Sequence, residues 1–158
     1  MRAISRTGSS GAPAAARVPD DLLAVARDRT RLNRFWQHLG IEVVDVREGW
    51  ARLKIRVRDD LRNAPGAPVH GGVYAALVDA AVGCALSTVH EGSTGGVGQT
   101  TLDLNVTYLA AARGAEIYAE GTLLKRGRTI AFGDVRVTDA DGTPVAVGRA
   151  TYMILARG

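Results

Sequence analysis

Between Val73 and Val89 the chain reads VYAALVDAAVGCALSTV, seventeen residues whose only charge is Asp79, introduced by His70-Gly71-Gly72. An apolar run of this length with no polar face has to be buried all round. It therefore predicts a central helix with the rest of the fold built around it. The run is too short for a membrane span and carries a carboxylate near its centre, so burial in protein is the expected fate. Its small residues, Ala75, Ala76, Ala80, Ala81, Gly83 and Ala85, let a sheet approach closely. A carboxylate in such a helix is costly to desolvate, so Asp79 needs a partner or a task. Two glycines ahead of the helix leave its first backbone N–H groups unobstructed and aimed at whatever docks there. Together these features suggest a site that polarises a carbonyl and attacks it.

The flanking sequence supplies the sheet. Asp20-Asp21 offers a helix N-cap, and apolar residues from Leu22 to Leu39 follow at helical spacing up to Gly40, with a break expected near the charged stretch Arg27 to Arg31. Ile41 to Arg47 and Trp50 to Val57, joined at Glu48-Gly49, read as a hairpin; Ala51, Leu53, Ile55 and Val57 form its apolar face. Asp59 to Val69, with Asn63, Pro65, Gly66 and Pro68, reads as a loop. After Glu91 come four alternating segments, Gly96 to Tyr108, Glu116 to Lys125, Ile130 to Thr138 and Pro144 to Ile154. Their short connections require antiparallel neighbours. The economical architecture is α+β, a curved antiparallel sheet wrapped around one long helix. It forms a single domain over residues 19–158, after an Ala/Gly/Ser/Pro-rich tail over 1–18 that is expected to be disordered.

Charge and cysteine usage exclude several functions. The formal net charge is +4, but Arg2, Arg6 and Arg17 lie in the acid-free first eighteen residues, leaving +1 on the remainder. No clustered basic surface of the kind nucleic acid needs remains. Cys84 is the only cysteine and sits inside the apolar run, so it reads as a packing residue and no intrachain disulfide is possible. The N-terminus has no apolar secretory core. These features fit a cytoplasmic protein with no membrane or nucleic-acid partner, and no metal-ligand pattern stands out.

The segments HGGVYAALVDAA, TTLDLNVTYLAAARG and LLKRGRTIAFGDVRVTDADGTPVAVGRATY resemble the PaaI-type branch of the hotdog-fold acyl-CoA thioesterases, related to 4-hydroxybenzoyl-CoA thioesterases, over roughly Phe35 to Met153. The resemblance implies the hotdog fold and assigns roles position by position. Gly71, after His70 and before Gly72, would polarise the thioester carbonyl through its backbone N–H. Asp79 would be the catalytic carboxylate, as general base or nucleophile, with Asn63 and Thr101 as helpers. Tyr108, Leu109, Ala110, Ala111 and Arg113, and the turn Lys125, Arg126, Gly127 and Arg128, would hold coenzyme A. The coenzyme is part of the substrate, so no separate cofactor or metal is implied. The stretch Glu91 to Gln99 is longer than the family's usual loop.

The chemistry can be read without the family. Gly71 and Asp79 are eight residues apart, about 12 Å along one helix, too far to serve one carbonyl carbon. Either they act separately, or Gly71 of one subunit meets Asp79 of another, which requires a homodimer or a dimer of dimers. Hydrolysis of an aromatic or medium/long-chain acyl-CoA is then the leading function. A hydratase would want a histidine where Cys84 follows Asp79, or Phe-Pro after His70. A non-catalytic acyl-CoA-binding protein is the alternative, although a binder has no need of a desolvated carboxylate beside a carbonyl site.

Overall fold

The computed structural model describes residues 20–90 and 98–155. The expected tail over 1–18 and most of the long loop after Glu91 lie outside the described residues. The chain order is α1 (Asp20–Leu32), α2 (Arg34–Leu39), β1 (Ile41–Arg47), β2 (Trp50–Arg56), a short 3-10 turn (Asp59–Leu61), α3 (Gly71–Ser87), β3 (Gln99–Tyr108), β4 (Glu116–Arg126), β5 (Ile130–Asp139) and β6 (Pro144–Ile154). The strands form one antiparallel sheet in the order β1-β2-β4-β5-β6-β3. All six pack on α3, giving the expected hotdog arrangement. None of the described helices is long and apolar enough to cross a membrane.

The first helical stretch breaks at Asn33, just past the charged stretch Arg27 to Arg31 near which a break is expected. Asn33 Oδ1 accepts from the Trp36 N–H at 3.1 Å and so caps α2. A polar side chain able to satisfy helix N–H groups ends a helix better than a run of charges, which helices tolerate. Gly40 then closes α2 in the left-handed conformation at φ 73°, where a side chain would be strained.

The central helix begins two residues earlier than the apolar run, because Gly71 and Gly72 are themselves helical. Residues around its whole circumference are buried, from Val73 and Tyr74 to Leu86. The strands reach it through their own glycines. A Cβ on Gly121 of β4 would stand 2.6 Å from the Ala81 main chain, and one on Gly133 of β5 would stand 2.7 Å from a Val82 methyl. One on Gly148 of β6 would meet a Val78 methyl at 2.6 Å. The small residues of the helix thus face glycines of the sheet, and neither side has room to spare.

Strands β2, β4, β5 and β6 alternate buried and exposed residues as their sequence pattern predicts. β3 does not; nearly all of it is exposed. β3 is an edge strand paired with β6 alone; the other edge strand, β1, keeps its alternation, with α1 packed against it. Leu102 and Leu104 remain 50% and 39% exposed there.

Replacing Gly121 by Val should cost about 1–3 kcal/mol, because the clash is with main chain that cannot rotate away. Urea denaturation reads this directly, and an unchanged midpoint would refute the close-packing account.

Candidate active site

His70 sits just before α3 and is exposed, and its Nδ1 accepts from the Gly72 N–H at 2.8 Å. That bond makes it the helix N-cap. It also explains Gly72, where a Cβ would lie 2.9 Å from the same nitrogen. The Gly71 N–H is left over, with no acceptor for it among the described residues. Around it is a hollow of about 370 Å³ lined by Val69, Gly71, Tyr74 and Tyr108 to Ala111. The Tyr108 hydroxyl donates to the Gly71 carbonyl at 3.1 Å, and the Ala112 N–H donates to the Tyr74 hydroxyl at 3.2 Å. These contacts bind the segment after β3 to the start of the helix.

Asp79 lies two turns further along α3 and is half-buried rather than enclosed, because it borders a second hollow of about 220 Å³. That hollow is also lined by Gly83, Gln99, Thr101, Tyr152 and, from α2, Trp36. The Thr101 hydroxyl donates to Asp79 Oδ1 at 2.7 Å. Thr101 gains this aim where the β3–β6 register slips, between Thr101 and Asp103. The Tyr152 hydroxyl also lies 2.7 Å from Oδ1, and 2.8 Å from the Asp79 main-chain carbonyl. Burial, and after it the neighbouring Asp79 charge, pushes the Tyr152 phenol far above its ordinary range, so it stays a donor. Gln99 donates to the Gly83 carbonyl at 2.8 Å.

The expected residues therefore fall into groups. Thr101 and Asp79 meet. Gly71 meets Tyr108, Leu109, Ala110 and Ala111, but in a different hollow from Asp79. Asn63 borders neither; it is exposed, and its main-chain N–H donates to the Pro68 carbonyl within the loop. Arg113 is exposed beyond the Gly71 hollow. Lys125, Arg126 and Arg128 are exposed at the β4–β5 turn, whose first two cations border a third hollow of about 510 Å³ beside Glu48-Gly49. The Gly49 N–H donates to the Thr88 hydroxyl at the C-terminus of α3, so this turn lies at the opposite end of the helix from Tyr108. Trp50 stacks against Arg47, whose guanidinium carbon lies 4.0 Å from the ring centroid.

Sequence reasoning missed Tyr152 and Gln99. The available signal was the alternation of β6, which turns Ala150, Tyr152 and Ile154 inward and so sets a tyrosine against the helix. A carboxylate with one oxygen held by two hydroxyls can take a proton from water or attack a carbonyl. A free N–H at a helix start can stabilise an oxyanion. Among the described residues no cluster of three or more His, Cys, Asp or Glu side chains is placed to hold a metal.

Residues 68–146 match the thioesterase superfamily. The chain is 34% identical to human acyl-coenzyme A thioesterase 13 over 137 residues, 85% of this chain and 94% of the relative. It is 29% identical to the medium/long-chain acyl-CoA thioesterase YigI of Escherichia coli over 131 residues, 76% of this chain and 84% of that one. The crystal structure of zebra fish thioesterase superfamily member 2 superposes with a TM-score of 0.70 at 28% identity, covering 88% of this chain and 99% of that one.

Because His70 caps through a ring nitrogen, His70→Ala should lower stability by about 1 kcal/mol and His70→Asn should retain most of it. Thermal melts of the two variants check this; equal losses would mean that the cap contributes nothing.

Proposed function

This chain belongs to the thioesterase superfamily and is a thioester hydrolase, and from that premise we propose that it hydrolyses an aromatic or medium/long-chain acyl-CoA across a dimer interface. The observation that carries the reading is the pair of separated half-sites. Asp79 has its carboxylate held beside one hollow, and Gly71 has its N–H free beside another. A two-fold dimer joins the halves, with Gly71 of one subunit facing Asp79 of the other. The exposed β3 edge supports such a dimer, since a ten-residue edge strand bearing Leu102 and Leu104 is a template for pairing.

In this mechanism the Gly71 N–H polarises the thioester carbonyl, and Asp79 takes a proton from water as the water oxygen adds to the carbonyl carbon. The tetrahedral oxyanion is stabilised at the helix N-terminus. Collapse breaks the C–S bond, and the proton held by Asp79 goes to the departing CoA thiolate. In the alternative route Asp79 attacks the carbonyl carbon itself and the C–S bond breaks, giving an anhydride and CoA thiolate; water then opens the anhydride to the free acid and the Asp79 carboxylate, and the proton it releases goes to the thiolate. Neither route needs a metal or an organic cofactor. Antiparallel pairing of two β3 strands sets the β4–β5 turn of one subunit near Tyr108 to Arg113 of the other. Lys125, Arg126 and Arg128 then serve the CoA phosphates while Tyr108 to Ala111 line the pantetheine path. The name of the Escherichia coli relative supports the alkyl end of the substrate range.

A subunit-mixing assay of CoA release tests the shared site. Asp79→Asn removes the base and should cost about a hundredfold or more in kcat. Gly71→Pro removes the N–H at a position where proline fits a helix start, with its Cβ 3.3 Å from the Tyr108 ring, and should cost a similar factor or more. Mixed and refolded together, the two variants should recover about a quarter of wild-type activity, because half the dimers then hold one intact site. No recovery would place both groups within one subunit's chemistry and refute the shared site. For the phosphate arm, Arg128→Ala should raise KM about three- to tenfold with kcat little changed, the mark of uniform binding. A kcat defect alone would reject that assignment.

A further inference from the structure

The Asp79 carboxylate is held asymmetrically. Both hydroxyls that reach it, Thr101 from β3 and Tyr152 from β6, meet the same oxygen, Oδ1, each at 2.7 Å. Among the described residues no donor reaches Oδ2. Thr101 and Tyr152 are direct cross-strand partners, so one register places both. Tyr152 is the more constrained of the two. Its side chain is almost entirely buried, whereas Thr101 is exposed. Its hydroxyl also lies 2.8 Å from the Asp79 main-chain carbonyl, so its one proton is shared between that oxygen and Oδ1 of the same residue.

This contact depends on a gap in the helix. Gly83 follows Asp79 by one turn, and a Cβ there would lie 2.8 Å from the Tyr152 hydroxyl and 3.2 Å from the ring carbon that bears it. Within an apolar helix glycine is a poor residue, costing about 1 kcal/mol against alanine. Its presence here makes room for the phenol. Gln99 presses on the same spot, its amide nitrogen bonded to the Gly83 carbonyl.

We propose that Tyr152 is a positioning residue for hydrolysis: with Thr101 it fixes Asp79 Oδ1 and leaves Oδ2 as the oxygen that meets water or thioester. The inference rests on the reading of Asp79 as the catalytic carboxylate. A phenol suits the task because it carries one proton, has a rigid ring, and remains protonated across the working pH range. A carboxylate pinned at one oxygen has lost its freedom to rotate, so its second oxygen is oriented before substrate arrives.

The test is a double-mutant cycle on CoA release from a saturated medium-chain acyl-CoA, using the full chain. Tyr152→Phe, which removes only the hydroxyl, should lower kcat about tenfold or more with KM within twofold of wild type. In the Asp79→Asn background the same change should alter the residual rate less than twofold, because a positioning residue has nothing left to position. Gly83→Ala reaches the same state by another route, displacing the hydroxyl while keeping the phenol. It should lower kcat comparably, and adding Tyr152→Phe should lower it no further. Wild-type turnover by Tyr152→Phe, or an equal fold loss in both backgrounds, would overturn the positioning role while leaving Asp79 as the base. Near-native turnover by Asp79→Asn would overturn it differently, by removing the catalytic carboxylate on which it rests.

Discussion

The close approach of α3 to strands β4, β5 and β6 is the contact on which the rest of the molecule depends. Ala81, Val82 and Val78 on the helix stand against Gly121, Gly133 and Gly148 on successive strands, with no room for a Cβ on the sheet side. Interiors packed at this density transmit displacement rather than absorb it. The helix is therefore fixed in height and rotation by contacts along its middle, and both ends follow. Its start is held by the His70 cap and the Tyr108 hydroxyl, and its end is tied to the β1–β2 turn through Thr88 and Gly49.

That placement explains how a carboxylate is tolerated in an apolar helix. Buried residues surround Asp79 along the helix, but Asp79 itself borders a hollow rather than the core. The sheet supplies hydroxyls where it passes Asp79 and glycines where it passes the apolar turns. The same device operates in reverse at Gly83, where the helix gives up a side chain so that a strand residue can reach in. Close packing and the candidate chemistry thus share one mechanism: a missing Cβ on one surface admits a group from the other.

Much of the fold was legible in the chain. Uninterrupted apolarity announced the central helix, and period-two alternation with short turns announced the hairpins. The break expected near Arg27 to Arg31 falls at Asn33, whose side chain satisfies a helix N–H. The pattern in β3 predicted one buried face, but nearly all of this edge strand is exposed, whereas the other edge strand, β1, has α1 packed against it and alternates as expected. Asn63 read as a helper near the carbonyl or the attacking water; its main-chain N–H bonds back to the Pro68 carbonyl, and Asn63 lines neither hollow of the single subunit.

For the candidate site the division is sharper. The sequence by itself determined that a free N–H at Gly71 and a carboxylate at Asp79 lie on one helix, too far apart to act together within it, because helical rise converts spacing into distance. It also determined that the helix must be buried, since it has no polar face to offer to water. Beyond Thr101, which the family resemblance named, only the tertiary structure decided which groups surround the carboxylate and which of its oxygens they hold. Thr101 is 22 residues from Asp79 and Tyr152 is 73, and neither separation carries any trace of contact. Their meeting depends on strand order, on the register between β3 and β6, on a slip in that register beside Thr101, and on the depth to which a glycine lets the phenol enter. Those are properties of closed long-range pairings, and local sequence pattern does not record them.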